Sequence, residues 1–168
     1  MQALAEGGVA LIETLPLQNL QRLMQESIGL QPDLMVNWRA VAELRVGSTG
    51  KTDIWLHLTA DTSLPLTCQR CMGAVQTPLQ VDQWYRFVAT EDIAMAEDDA
   101  SEEDLLVLTP QFDLLAVLED ELLMALPLVP MHDVCPELPA FSAGVIDVPA
   151  DTEGKPNPFA ALAKLKKS

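Results

Sequence analysis

From Leu34 to Val46, apolar and polar residues alternate almost without interruption. Leu34, Val36, Trp38, Ala40, Ala42, Leu44 and Val46 share one face, while Asn37, Arg39, Glu43 and Arg45 take the other. A period of two held over that length describes a strand with one buried and one wetted face. Gly47-Ser48-Thr49-Gly50 then supplies a turn. Ile54, Leu56 and Leu58 alternate with Trp55, His57 and Thr59, which closes a hairpin. Leu64, Leu66 and Cys68 read as a short third strand, and Leu79, Val81, Tyr85 and Phe87 as a fourth. The expected product is an antiparallel sheet with one wetted face.

Helical periodicity flanks this block. Leu17, Leu20, Met24 and Ile28 recur at spacings of three and four, so residues 1–31 read as loosely helical, ending at Gly29 and Pro32. A second helix is expected to open at Thr109-Pro110 and run to about Ala125. Its apolar stripe is Leu114, Leu115, Leu118, Leu122, Ala125 and Leu126. Leu105–Leu108 reads as a short strand before it. Residues 91–104 hold eight acidic side chains, and such a run repels itself, so a mobile acidic loop is expected at 89–104. The fold class is therefore α+β: an antiparallel sheet packed by a central amphipathic helix, with an N-terminal helix and a flexible C-terminal tail. Residues 1–135 form the single domain. Residues 136–168 read as a linker followed by a short basic helix opening at Asn157-Pro158, with Phe159, Leu162 and Leu165 on its apolar side.

Composition agrees with one core. The 168 residues are 49% hydrophobic and 21% charged, which is not the balance of a disordered chain. The apolar run Leu122–Leu126 is far short of the roughly 20 residues a bilayer demands. The first residues lack a basic start and carry Glu6 and Glu13, unlike a secretory signal. Charge is segregated. Residues 1–154 carry six basic and 25 acidic residues, a net of −19, whereas Lys155, Lys164, Lys166 and Lys167 give the end of the chain +4. The acidic part repels phosphate backbones and attracts basic proteins, which argues against a broad nucleic-acid platform and against DNA as a partner. The same acidity also serves solubility.

Chemistry concentrates in two pairs. Cys68-Gln69-Arg70-Cys71 follows the third strand, and His132-Asp133-Val134-Cys135 follows the central helix. Two intervening residues let a tight turn aim both side chains at one ion, and three thiols with one imidazole suit zinc. Cys68, Cys71, His132 and Cys135 are the candidate metal ligands. Against this stands a packing role, because free cysteines are commonly buried as small apolar groups. A dithiol redox pair at Cys68 and Cys71 lacks the usual helix N-terminus, although Arg70 would favour a thiolate. Glu119-Asp120-Glu121 cannot converge on one substrate atom, since adjacent helical residues point about 100° apart. Glu119 and Glu121 are read as rim residues pairing with Arg39, Arg45 or Arg86. Trp55, His57 and Trp84 would form an exposed stacking or protein-contact patch, or pack beneath a docked helix. No phosphate-cradling loop, nucleophile elbow or metalloprotease helix is present in the sequence.

LTCQRC at 66–71, VLEDELLMALPLVPMHDVC at 117–135 and KPNPFAALAKLKK at 155–167 together resemble the YceD family, the large ribosomal RNA subunit accumulation proteins. The resemblance spans roughly residues 34–167. It implies a cytoplasmic, non-enzymatic factor needed for synthesis, processing or stability of 23S ribosomal RNA. The acidic body adds an expectation of its own: large-subunit ribosomal proteins or assembly factors as basic partners, with ribosomal RNA engaged directly or indirectly. Many relatives look richer in cysteine after the central helix, where this chain keeps His132 and Cys135. Combined with the charge split, it points to Glu119, Asp120 and Glu121 on the helix and Lys164, Lys166 and Lys167 in the tail as partner contacts. The rival classes are a metal-dependent RNA-processing enzyme and a thiol redox switch at Cys68 and Cys71.

Overall fold

The computed structural model describes residues 1–29, 33–46 and 50–136. These residues all fall in the first of two units into which the chain divides, Met1–Leu138 and Pro139–Ser168. The turn at 47–49 and the linker and basic helix expected at 137–168 lie outside the described residues.

The alternating run is β2 (Met35–Val46), with Val36, Trp38, Ala40 and Ala42 buried. It pairs antiparallel with β3 (Thr52–Thr67), and β3 with β4 (Ala74–Val88). The expected second and third strands are one continuous strand. Ala60–Ser63 carries no break because its register simply continues, with Asp61 opposite Gln80 and Ser63 opposite Pro78. Pro65 is tolerated because β2 pairs with β3 only as far as Asp61, so the proline meets no ladder on that side. Instead the Pro65 carbonyl accepts a hydrogen bond from Ile28 N at 2.8 Å.

Two further strands make a five-stranded sheet in the order β1-β2-β3-β4-β5. The N-terminal region is not one loose helix. Gly8 takes a left-handed conformation (φ 59°) that ends α1 (Gln2–Gly7), and β1 (Ala10–Pro16) then pairs with β2. Only α2 (Gln21–Glu26) matches the helical spacing, placing Leu20 and Leu23 in the core. The other edge corrects a second expectation. β5 (Asp104–Val107) runs parallel to β4, so the sheet is mixed rather than antiparallel.

The acidic run that links β4 to β5 is a helix and not a loop. Thr90 Oγ1 caps α3 (Glu91–Glu97) by accepting from Ile93 N, and Glu91 and Asp92 sit at its positive end. Arg86 then draws the segment onto the sheet. Its guanidinium donates to Glu97 at 2.8 Å, Glu103 at 2.6 Å and Ser101 Oγ at 2.9 Å. The self-repulsion of the carboxylates is offset by one half-buried cation shared among them.

α4 (Leu114–Met124) covers the inner face with Leu118 and Leu122, both fully buried against a core that includes Leu56, Leu58 and Tyr85. It begins four residues later than expected, because Asp113 accepts from Leu115 N at 3.0 Å and Ala116 N at 3.1 Å and so is the N-cap. Glu119 is 8% exposed and does not pair with Arg39, Arg45 or Arg86. Its carboxylate accepts from Arg22 N (2.7 Å), Leu23 N (3.2 Å) and Arg22 Nε (2.9 Å), which satisfies the first amides of α2 and locks α2 to α4.

Glu119→Ala is expected to cost about 2–4 kcal/mol, read as a lower urea midpoint, because it leaves buried donors unpaired. Asp120→Ala, which removes only the exposed arm of the same cluster, should cost much less. Arg86→Ala should speed amide hydrogen exchange across residues 91–103 while leaving β2 and β3 protected.

Candidate metal centre

β3 and β4 continue past their neighbours as a two-stranded arm, and Cys68–Gly73 is its turn. Cys68 N donates to Gly73 O at 2.8 Å and Met72 N to Cys68 O at 2.9 Å. Met72 holds a left-handed backbone (φ 61°) to complete the reversal. The chain leaving α4 crosses this tip, where Gln69 N donates to Pro130 O at 2.9 Å. That contact brings together residues more than 60 positions apart in sequence.

All four proposed ligand atoms meet here. The sulfurs of Cys68, Cys71 and Cys135 and a ring nitrogen of His132 lie within 4.8 Å of one another. Cys68 Sγ is 3.9 Å from Cys135 Sγ, and Cys71 Sγ is 3.5 Å from His132 Nδ1. The far nitrogen, His132 Nε2, lies 2.9 Å from Ala74 O. A carbonyl only accepts, so Nε2 carries the proton and Nδ1 keeps its lone pair directed at the thiols. This is the tautomer and orientation that a ligand histidine requires.

The electrostatics are those of a thiolate cup. Burial raises the Cys68 thiol, but backbone N–H groups of Cys71, His132 and Arg70 outweigh it and bring the pKa down to about 5. His132 N is 3.5 Å from that sulfur. Burial, followed by the neighbouring Cys71 and Cys68 sulfurs, pushes Cys135 up to about 11. The two sulfurs are thus pulled in opposite directions, Cys68 toward the thiolate and Cys135 toward the thiol. A thiophilic cation would favour the thiolate form of both. Three sulfurs and one nitrogen around a common point fit a four-coordinate closed site, with no position left for substrate. Such a set suits zinc chemistry better than that of hard, oxygen-seeking cations.

The other sequence-marked residues do not join this centre. Glu119 is spent inside the fold, and Asp120 pairs with Arg22 at 2.5 Å. Glu121 lies near Tyr85, whose phenol is held above its usual pKa by burial and then by that carboxylate. The acidic trio thus presents no single face. Lys164, Lys166 and Lys167 lie outside the described residues.

Trp55, His57 and Trp84 occupy the sheet face opposite the core-facing Leu56 and Leu58 and are half-buried there, with Trp55 lining one cavity together with Arg86 and with Ile93 and Glu97 of α3. The His57 ring stacks on Trp84 at 4.2 Å and 1° and contacts Asp82 at 2.6 Å. The Arg45 guanidinium lies 4.0 Å from the Trp84 centroid and 4.7 Å from that of Trp55. Sequence reading placed the aromatic residues on this side but missed Arg45 as the group that covers both rings. Their register across three strands, Glu43–Trp55–Arg86 and Val41–His57–Trp84, was the missing signal.

Known proteins resemble this chain over most of its length. The family model described as "Large ribosomal RNA subunit accumulation protein YceD" matches residues 56–166, which include all four clustered side chains. A protein of that name from Haemophilus influenzae is 38% identical over 158 residues, covering 88% of this chain and 82% of the relative. No solved structure matches the chain. Two-thirds of the sequence answering to the family model, together with this level of identity to a curated relative, establishes that the chain belongs to the YceD family.

Proposed function

We propose that this protein is a cytoplasmic, non-enzymatic factor that supports the accumulation of large-subunit ribosomal RNA. Membership of a family named for that role is the observation that carries the reading. In this reading the acidic body binds basic ribosomal or assembly proteins, and the lysines at 155–167 reach RNA or a second partner. The support is the charge split, −19 from six basic and 25 acidic residues in 1–154 against +4 beyond. Opposite net charges speed encounter and make it sensitive to salt. Asp120, Glu121 and the carboxylates of α3 are the exposed or half-buried acids available for such contact. Among the described residues, no helix is long and apolar enough to cross a membrane.

The cluster of Cys68, Cys71, His132 and Cys135 holds a structural zinc ion in this proposal, clasping the β3–β4 tip to the loop after α4. Donor softness and the fixed histidine tautomer support it. Bound there, the ion supplies fixed geometry rather than reactivity, because all four of its positions go to protein atoms. A metal-dependent nuclease would need free convergent carboxylates, and the strongest candidate, Glu119, is turned inward onto Arg22.

Two outcomes are expected. Elemental analysis of protein purified under reducing conditions should give one zinc per chain. Cys71→Ser should lose it and lower the melting temperature by roughly 5–15 °C. An unchanged melting curve would return the cysteines to packing roles. Capture of ribosomal proteins from extract should fall steeply between low and high salt, and truncation of residues 155–168 should change the RNA recovered with them. Equal recovery of both in all four conditions would overturn the binding mechanism.

A further inference from the structure

We infer that the free edge of β1 is a docking surface for a second copy of this chain, which pairs its own β1 there about a twofold axis and joins the two sheets into one. The inference goes beyond the partner reading above and depends on neither the charge split nor the metal centre.

β1 is the outermost strand of the sheet and has β2 on one side only. Leu17 N donates to Leu34 O at 2.9 Å, in register with the β1–β2 ladder. Hydrogen-bonded pairs alternate along an antiparallel ladder, so Leu11, Glu13 and Leu15 direct their N–H and C=O groups to β2. Those of Ala10, Ile12 and Thr14 point away from the sheet. Among the described residues, none takes them up. The side chains beside this row are apolar and exposed: Val9 by 57%, Leu11 by 36% and Ile12 by 70%.

Elsewhere the sheet closes such stretches with proline. The bond from Cys68 N to Gly73 O sets the alternation on β3 and β4, and it turns the backbone of Pro65 and Pro78 away from the ladder between those strands. Pro65 lies where β3 has outrun β2, and Pro78 where β5 has not yet joined β4. A proline there offers no donor, and its ring obstructs an incoming strand. β1 has no such guard between Ala10 and Thr14, since Pro16 only ends the strand.

The occupant follows from the side chains. A basic partner finds little to hold, because Glu13 is the only charged residue of β1. A second β1 fits. An antiparallel pairing that sets Ile12 opposite its copy also sets Ala10 opposite Thr14, so every residue with free backbone groups falls in a hydrogen-bonded pair. The two Ile12 side chains then meet on one face, and Glu13 falls opposite Leu11. Centring the pair on Glu13 would oppose two carboxylates and bring Pro16 against Ala10. Centring it on Leu11 would send Thr14 to Gly8, which has left the strand. The contact is narrow, so the dimer forms as concentration rises and is not permanent. Each copy carries a formal charge of −15, and salt screens their repulsion. Self-pairing therefore tightens with salt, the opposite of electrostatic capture of a basic protein.

Sedimentation equilibrium of the full-length protein over a wide concentration range should show a monomer–dimer equilibrium that shifts toward dimer as sodium chloride is added. Hydrogen exchange should be fast at Ala10, Ile12 and Thr14 in dilute protein and slow in concentrated protein, while Leu11 and Glu13 stay protected throughout. Ile12→Pro, which blocks the edge without removing a bond to β2, should abolish the dimer. Ile12→Lys, which opposes two cations across the axis and leaves the backbone intact, should weaken it by roughly tenfold or more. A monomer at every concentration, a dimer that Ile12→Lys leaves unchanged, or a dimer that dissociates as salt rises would overturn the inference. So would slow exchange at the three even positions in dilute protein, which would mean that the chain's own residues already cover the edge. Protection that appears only when ribosomal proteins are added would give the edge to that partner instead and would equally overturn self-pairing.

Discussion

The pairing of β3 with β4 governs the rest of the molecule. It runs from Ile54 opposite Phe87 to Thr67 opposite Ala74, beyond the reach of both neighbouring strands. Both halves contribute to the core, Leu56, Leu58 and Tyr85 on the inner one and Leu64, Leu66, Val75 and Leu79 on the outer one. The outer half is an arm that delivers the cysteine turn to the loop after that helix. A one-residue slip in this ladder would move every side chain to the opposite face and separate the thiols from His132 and Cys135. Register, core and metal centre are therefore one constraint.

The buried carboxylate of Glu119 performs the complementary task. α2 has six residues, too few to persist by itself in water. Glu119 supplies the acceptors that its first turn lacks and joins it to α4. α4 in turn sets the direction of the chain that reaches the metal centre. The acidic trio Glu119-Asp120-Glu121 thus holds the helical layer together before it offers any charge to a partner.

The sequence reading reached far where side-chain pattern alone decides structure. The alternation at 36–42, the stripe through Leu118 and Leu122, and the two pairs of metal-type ligands were legible, whereas Leu44, Val46 and Leu115, expected on buried faces, are exposed. It stopped where pairing decides. β1 contains only a short mixed run, and its strand character comes from lying against β2. β5 is held by parallel contacts with Tyr85–Val88 that no local signal announces. The acidic run at 91–104 looked unable to fold because its neutralising cation, Arg86, sits on another element. Glu119 was read as a rim residue for the same reason: its partner Arg22 is 97 positions away. Most of these errors were of partnership between elements, the late start of α4 at its local cap Asp113 being an exception, whereas the four cysteine and histidine positions were found because each pair is already local.

The clasp also has a place in time. Its two halves, Cys71 and His132, are separated by 61 positions, a closure whose entropy is met only after the strands and α4 have docked. The unfolded chain holds at most two donors close together at either end of that separation. A metal held by all four donors would consequently be captured among the last events on the way to the native state. Its presence would then report that the sheet and the helix have already found each other.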